Sequence, residues 1–265
     1  MLDALSNDVL AENRELYALV AELPSDAWGR VTAFFDWTVR DQILHLHQVD
    51  RFGLTSLDGD EAFAEVFRKA RAGQAEGVEL SEQIRREFAG VADGEVLETW
   101  RATFEAMVAR FRASDPKARM TWFGPPMSIV SFASARQMEV WAHGQDIYDL
   151  LGIARPTLPR IRNICDLGVR TFGWSFRNRG LDVPPVPRVR LTGPQGEEWE
   201  WPGDDAGLVE GSARDFALVV TQRRAPQDTG LAATSDGARA WLPIAQCFAG
   251  AAQEPAAPGS RPALG

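Results

Sequence analysis

The stretch SIVSFASARQMEVWAHGQDIYDLLG, residues 128–152, decides the fold that we predict for this chain. Its apolar residues recur mostly at steps of three and four, which is typical of a helix with one buried face. Ser128 can cap the start of this helix, and Gly152 can end it. The apolar positions are Ile129, Phe132, Met138, Val140, Ile147, Leu150 and Leu151.

Charged residues stand among the apolar positions of this central helix. Glu139 and His143 are four residues apart, so they lie one helical turn apart on the same face. Asp146 follows His143 by three residues, and Arg136 precedes Glu139 by three. Charged groups among core residues cost free energy unless something pairs them. A metal ion bound at this face would provide such pairing.

Helical periodicity continues on the N-terminal side of the central helix. We predict main helices over residues 9–23, 38–57 and 95–113, with shorter helices over 60–72 and 81–88 between the second and the third. Thr38 is the expected N-cap of the second helix, and Asp41 completes a near capping box three residues later. Four main helices with one long connection predict a four-helix bundle.

The pattern changes after Gly152, where prolines mark a linker. We predict a helix over 161–178, then a β-hairpin from the alternating residues 186–192 and 198–201. A helix over 213–223 follows, which residues 209–212 lead into. A possible strand over 231–235 and a last helix from 236 to 248 complete the prediction. The expected fold class is therefore α+β. Residues 1–155 form the bundle, residues 156–252 form a small α+β domain, and the Ala/Pro/Gly-rich residues 253–265 form a disordered tail.

Composition excludes several functional classes. The net charge of −9 and the pI near 5.0 argue against nucleic-acid binding, which needs a basic face. The N-terminus does not resemble a signal peptide, and no later run approaches the ~20 apolar residues of a membrane span. Cys165 and Cys247 lie in apolar helical patterns and are expected to be packed free thiols. We therefore expect a cytoplasmic protein.

The chain has only three histidines, which limits the possible metal ligands. His45 and His47 lie on the second helix, and at ~100° per residue their side chains point about 200° apart. One is expected to face the bundle interior while the other leaves it. Because sites in bundles are built from inward side chains of facing helices, one of them is the expected third ligand beside Glu139 and His143.

Two motifs resemble the mycothiol-dependent maleylpyruvate isomerase family, a branch of the DinB-like metal-binding bundles. The segment WTVRD at 37–41, followed by His45 and Leu46, is similar to that family's WTVRDxxxHL signature. The segment RQMEVWAHGQD at 136–146 is similar to its R-x-x-E-x-x-x-H-x-x-D helix. The later residues resemble the family's C-terminal domain, which is related to sterol-carrier proteins. The crossover at 60–94 and the connector at 122–126 depart from the family's pattern. These departures suggest that the chain belongs to a sub-branch and is not the isomerase itself.

The resemblance implies a divalent metal held by His45, Glu139 and His143. It favours zinc, but this ligand set also suits Fe²⁺ or Ni²⁺. Three protein ligands leave a coordination position open, as in catalytic zinc sites. Asp146 could accept a hydrogen bond that orients His143. The alternatives are that Asp146 is exposed to solvent or pairs with Arg136.

Members of the family use the low-molecular-weight thiol mycothiol as cosubstrate. Arg223 stands at the position of the family's functional arginine, and Arg224 is its neighbour. Both are candidates for anchoring substrate or thiol. The alternative for Arg223 is a surface position, where its positive charge stabilises the C-terminus of a helix. Trp122 and Phe123 are candidates for lining the substrate site or for core packing.

Three functions remain open from the sequence. The first is a metal- and thiol-dependent transferase or isomerase acting on a small electrophilic metabolite. The second is a thiol-independent metal enzyme, such as a hydrolase or a Lewis-acid cyclase or isomerase of a biosynthetic pathway. The third is a non-catalytic metal- or ligand-binding protein. A small-molecule substrate and a thiol are the expected partners, without nucleic acid or membrane, and the protein is expected to be a monomer or a homodimer.

Overall fold

The structure is a computed structural model that describes residues 2–123, 126–204 and 207–261. It divides into two compact units, Met1–Ile147 and Tyr148–Gly265. The division falls inside the last turns of the central helix, and the predicted domain boundary after residue 155 stays a prediction. No helix in the described ranges is both long and apolar enough to cross a membrane.

The first unit is the predicted helical bundle with one long crossover. Its helices and short strands, in chain order, are α1 (Leu2–Ala21), α2 (Val39–Asp58), α3 (Asp60–Ala75), α4 (Leu80–Glu87), α5 (Asp93–Arg112), β1 (Arg119–Met120), β2 (Met127–Ser128) and α6 (Ile129–Leu151). Helices α3 and α4 form the crossover. Helix α1 starts seven residues earlier than predicted, because Leu2 and Leu5 join the core and extend its buried face.

One apolar core joins three of the main helices of this unit. Helices α1, α5 and α6, together with β1, contribute Leu2, Leu5, Val9, Met107, Val108, Phe111, Met120, Ile129, Phe132 and Ala133. Helix α2 approaches α6 closely at Gly53, where an added Cβ would lie 2.6 Å from Phe132 Cζ. A glycine at this position lets the two helices that carry the candidate ligands pack tightly.

Both ends of α6 agree with the prediction. The Ser131 amide donates to Ser128 Oγ at 3.1 Å, which caps the start of the helix. Gly152 follows the last turn with a φ of +68°, a left-handed conformation that favours glycine. The predicted boundaries of the central helix are therefore correct to within one residue.

The start of α2 is held by the predicted capping box. The Asp41 amide donates to Thr38 Oγ1 at 3.1 Å, and the Thr38 amide donates to Asp41 Oδ2 at 2.9 Å. Arg85 of α4 donates to Asp41 Oδ1 at 2.7 Å and ties the crossover to α2. Burial by itself would raise the pKa of Asp41, but the hydrogen bonds from Arg85 and Thr38 outweigh it and lower that pKa.

Replacing Asp41 with asparagine is expected to destabilise the chain by about 1–2 kcal/mol at pH 7, because the cap and the ion pair both weaken. Because the pKa of Asp41 is lower in the folded chain, this contribution to stability is complete above the pKa of about 3.9 in the unfolded chain. It is lost as the pH falls through the pKa of Asp41 in the folded chain. Urea unfolding at pH 7 and at successively lower pH should show the difference between wild type and Asp41→Asn shrinking below about pH 4. A difference that persists unchanged there would contradict the assignment.

The second unit is a small α+β fold. Its elements are α7 (Arg162–Arg170), α8 (Phe172–Arg177), β3 (Arg188–Thr192), β4 (Glu198–Trp201), β5 (Leu208–Ser212), α9 (Ala213–Val220), β6 (Ala232–Ala233) and α10 (Asp236–Trp241), with 3-10 turns at Pro159–Ile161, Pro226–Asp228 and Leu242–Ile244. The strand order is β4-β3-β5-β6. The predicted hairpin is correct, since β3 and β4 pair antiparallel with Leu191 opposite Trp199.

One strand of the second unit was missed, and two helices were predicted too long. The segment 208–212 leads into α9 as predicted, but it is also a strand that pairs parallel to β3. The single helix predicted over 161–178 is broken at Thr171 into α7 and α8. The last helix ends at Trp241, because Pro243 follows and cannot continue the α-helical hydrogen bonding.

The described part of the predicted tail starts with an anchored residue. The Gln253 carbonyl accepts from Gln222 Nε2 at 3.0 Å, and its amide donates to Gln246 Oε1 at 3.0 Å. The predicted disorder of the residues beyond it stays a prediction, and residues 262–265 lie outside the described ranges.

Candidate metal centre

Three candidate ligands converge between α2 and α6. Glu139 Oε2 lies 3.3 Å from His45 Nε2 and 3.3 Å from His143 Nε2. One ligand atom from each residue lies within 4.8 Å of the other two. In a tetrahedral zinc site with bonds of about 2.1 Å, neighbouring ligand atoms are separated by roughly 3.4 Å. Two of the three separations therefore match such a site, and the third is no longer than 4.8 Å.

Hydrogen bonds around Gln42 fix the orientation of the His143 ring. Gln42 Nε2 donates to Thr32 Oγ1 at 2.8 Å, and this leaves Gln42 Oε1 facing His143 Nδ1, with which it is hydrogen-bonded. Thr32 Oγ1 donates in turn to the Trp37 carbonyl at 2.8 Å. Because Nδ1 must donate to an amide oxygen, the neutral ring presents a lone pair at Nε2 to the carboxylate. Without a metal ion, a proton on Nε2 makes the hydrogen bond to Glu139, and a divalent cation would take the place of that proton.

The charge state of Glu139 also suits a cation site. Burial by itself would raise the pKa of Glu139, but hydrogen bonds with His143 and His45 outweigh it and hold that pKa well below its usual range. The carboxylate therefore stays ionised at neutral pH. A metal ion needs a deprotonated carboxylate and neutral imidazoles as ligands, so no proton has to be removed from Glu139 before binding.

Gln42 was not identified from the sequence, although it lies three residues before His45 on the same helix. Replacing Gln42 with leucine is expected to weaken metal binding by about 10- to 100-fold, as for other partners that orient a ligating histidine. Gln42→Glu keeps an acceptor at the same place and should retain most of the affinity. Competition with a chromophoric chelator measures both variants, and equal affinities of Gln42→Leu and wild type would disprove the orienting role.

An aromatic loop covers the two imidazoles. The Trp37 ring stacks on His143 at 5.9 Å between centroids, and Phe34 meets the same imidazole edge-on at 5.0 Å. The backbone reaches this position through Phe35 and Asp36, whose φ values of +47° and +56° are left-handed. Such conformations in non-glycine residues are strained and often mark functional sites.

A cavity of about 280 Å³ opens beside His45, and we call it the His45 cavity. Its walls come from α2, the start of α4, the loop before α2 and the connector before β2. Its lining residues are Trp37, His45, Gln48, Val49, Phe52, Glu79, Leu80, Ser81, Trp122 and Phe123. Trp122 and Phe123 thus line a cavity and also pack against Phe63.

His47 lies outside the cluster, but it does not leave the bundle as predicted for one of the two histidines. It is only 3% exposed and packs edge-on against Phe88 at 5.3 Å. The crossover covers this face of α2, which the periodicity of α2 alone could not show. Burial, with a smaller effect from Arg51, lowers the pKa of His47 to about 4, so its ring is neutral at pH 7.

Arg136 and Asp146 are both buried, with 1% exposure each. Arg136 pairs with Asp50 of α2, with its Nε 2.8 Å from Asp50 Oδ1, and not with Asp146. Asp146 is therefore not a solvated acid either. His143 Nδ1 is hydrogen-bonded to Gln42, and the predicted role of Asp146 in orienting His143 stays a prediction.

Arg223 and Arg224 lie in the second unit and are buried, at 4% and 2% exposure, so neither is a surface residue. Arg224 forms a two-pronged ion pair with Asp149, with distances of 2.7 and 2.8 Å. Arg223 Nη1 donates to the Thr221 carbonyl at 2.8 Å. The predicted role of Arg223 and Arg224 in anchoring substrate or thiol stays a prediction.

Comparison with known proteins places these motifs in a family. Two uncharacterised proteins of Mycobacterium tuberculosis, from strains CDC 1551 and H37Rv, are 43% identical to this chain over 245 residues, which is 92% of this chain and 94% of theirs. Crystal structures of the mycothiol-dependent maleylpyruvate isomerase and of a histidine-to-alanine mutant of it share the fold. Their TM-scores are 0.52 and 0.55 at 16% and 12% identity, over 88% of this chain and 93% of each of those chains. Residues 9–148 match the model of the mycothiol maleylpyruvate isomerase N-terminal domain, and the chain therefore belongs to the mycothiol-dependent maleylpyruvate isomerase family.

Proposed function

We propose that this chain is a metal-dependent enzyme that activates a low-molecular-weight thiol for transfer to, or isomerisation of, a small electrophilic metabolite. Membership of the family supports a mycothiol-related, isomerase-like activity. The observation that carries the metal-dependent part is the convergence of His45, Glu139 and His143, with their ligand atoms within 4.8 Å of one another. The ligand set favours zinc, and Fe²⁺ and Ni²⁺ fit the same atoms.

The side chains around the centre have distinct tasks in this proposal. His45, Glu139 and His143 would hold the ion, which would lower the pKa of a bound thiol and so supply a thiolate at neutral pH. Gln42 keeps the His143 lone pair directed at the centre. Trp37 shields the imidazoles from water on one side, which strengthens electrostatic interactions there.

The reaction consists of addition of the thiolate to an activated double bond. A sulfur–carbon bond forms at one alkene carbon, and the π electron pair moves onto the electron-withdrawing group. For isomerisation, the remaining single bond rotates, the electron pair returns and the thiolate leaves. For transfer, a proton from solvent neutralises the carbanion and the thiol stays attached. We assign Arg223, with Arg224 as a secondary candidate, to the polar groups of thiol or substrate, and Asp146 to supporting the site from α6.

Cobalt substitution tests whether a thiol binds at the centre. Adding mycothiol to the cobalt-loaded full-length protein should produce a sulfur-to-cobalt charge-transfer band in the near ultraviolet. The same addition to His143→Ala should produce none. An unchanged cobalt spectrum, together with turnover in thiol-free buffer, would replace the proposal by a thiol-independent metal enzyme. An unchanged spectrum without any turnover would favour a binding protein.

A further inference from the structure

Aromatic side chains brace the walls of the His45 cavity. Phe52 meets Phe123 at 5.2 Å between ring centroids, and Trp122 meets Phe123 at the same distance. Phe63, which is 2% exposed, supports both rings of the connector from behind, at 5.8 and 5.3 Å. Aromatic groups in such mutual contact are held in place by several neighbours. The cavity is therefore preformed and suits a flat ligand group.

The charges around the cavity are unfavourable for an anion. Within the described ranges, its lining includes no lysine or arginine. The charged or chargeable side chains of the lining are Glu79, an exposed acid, and His45, which already faces Glu139. Gln48 Nε2 donates to the Leu80 carbonyl at 3.1 Å, so this amide donor is engaged as well. A carboxylate placed here, away from the metal centre, would lose water without gaining a cationic side chain, which costs free energy.

The volume limits the size of the ligand. At about 280 Å³, the cavity lies just below the roughly 300–1,000 Å³ typical of sites for drug-sized molecules. A single ring with a short conjugated side chain is of suitable size, whereas a second large group would have to lie outside.

We propose that the His45 cavity binds an uncharged, planar, conjugated or aromatic part of the substrate and discriminates against carboxylates. The assignment of this ligand as substrate rests on the proposed function, because the cavity shares His45 with the metal centre. The substrate class is then a neutral conjugated electrophile, in contrast to a dicarboxylate such as maleylpyruvate. Shape and aromatic walls select the planar group, and the lack of cations in the described lining selects against negative charge.

Cinnamamide and cinnamate test this proposal, since they share size and shape and differ in charge. Their dissociation constants are measured by calorimetry or saturation-transfer NMR on the full-length chain, both as purified and after treatment with a chelator. Cinnamamide is expected to bind at least about 10-fold more tightly to the chelated sample. The chelated sample removes direct coordination of the carboxylate by metal and isolates the cavity.

Two variants that place a cation in the lining should invert the preference. Val49→Lys, and independently Ser81→Lys at the start of α4, should strengthen cinnamate binding at least 10-fold relative to cinnamamide. Val31→Lys is the matched control, because Val31 is 51% exposed and does not belong to the lining. Circular dichroism and thermal melting establish that each variant is folded, and Ser81→Lys replaces Val49→Lys if the latter is not.

The outcomes separate this inference from the proposed function. The inference about the cavity would be overturned if cinnamate bound the chelator-treated wild type as tightly as cinnamamide does. It would also be overturned if both ligands bound with dissociation constants in the millimolar range or weaker. A thiol-dependent cobalt spectrum with either of these results would leave the proposed function standing. Preference for cinnamamide without any thiol-dependent spectrum would leave the cavity assignment standing and remove the thiol chemistry.

Discussion

Replacing His143 with alanine is expected to abolish stoichiometric metal binding. The substitution removes one of three converging ligands and also leaves Gln42 Oε1 without the ring nitrogen that it faces. Loss of a ligand should exceed the 10- to 100-fold effect of losing an orienting partner, so we expect a decrease in affinity of at least about 100-fold. His45→Ala and Glu139→Gln should behave in the same way, because each contributes one ligand atom.

Metal analysis of protein dialysed against a defined free zinc concentration measures this effect. His47→Gln is the matched control, since it removes an imidazole from α2 that packs against Phe88 outside the cluster. Wild type and His47→Gln should retain about one equivalent of metal per chain, while His143→Ala should retain almost none. Equal metal content in His143→Ala and wild type would mean that the three residues do not form the site.

Arg136→Met is expected to destabilise the first unit by about 3–5 kcal/mol, the usual cost of breaking a buried ion pair from one side. Asp50 is fully buried, and besides Arg136 Nε it accepts from Trp100 Nε1 at 3.1 Å. Arg136 Nη2 also donates to the Leu46 carbonyl at 3.4 Å, next to His45 in the chain. The pair therefore joins α2 to α6 close to the metal centre, and its loss should also loosen metal binding.

The pH dependence of this variant follows from Asp50. Burial raises the pKa of Asp50 even though Arg136 opposes the shift, so without Arg136 the pKa should rise further. A carboxyl group with a raised pKa in the folded chain contributes stability that is complete below its pKa of about 3.9 in the unfolded chain. This contribution is lost as the pH rises through the pKa in the folded chain. The deficit of Arg136→Met should therefore be largest at neutral pH and smaller in mild acid.

Urea unfolding followed by circular dichroism tests the ion pair. The double variant Arg136→Met/Asp50→Leu should recover most of the lost stability, because no unpaired charge remains buried. Arg110→Met is the matched control, since its ion pair with Asp58 is exposed and should contribute less than about 1 kcal/mol. A deficit for Arg136→Met no larger than that of Arg110→Met would refute the assignment.

Local sequence signals were sufficient for much of the fold. The capping box of Thr38 and Asp41, the cap at Ser128 and the left-handed Gly152 each depend on residues a few positions apart, so they were predictable. The hairpin of β3 and β4 was predictable for the same reason. Strand β5 was missed because its pairing with β3 is parallel and non-local, and no local signal distinguishes it from a segment leading into a helix.

For the site, the sequence determined which residue types stand one turn apart on α6, and the family motifs indicated His45 as their partner. Only the tertiary structure decided which groups surround them. It placed Gln42 on His143, Asp50 on Arg136 and the crossover over His47, because these contacts join residues from different helices or segments of the chain. The helical repeat fixes the direction of a side chain from its own helix, whereas what that side chain meets depends on how the other helices pack.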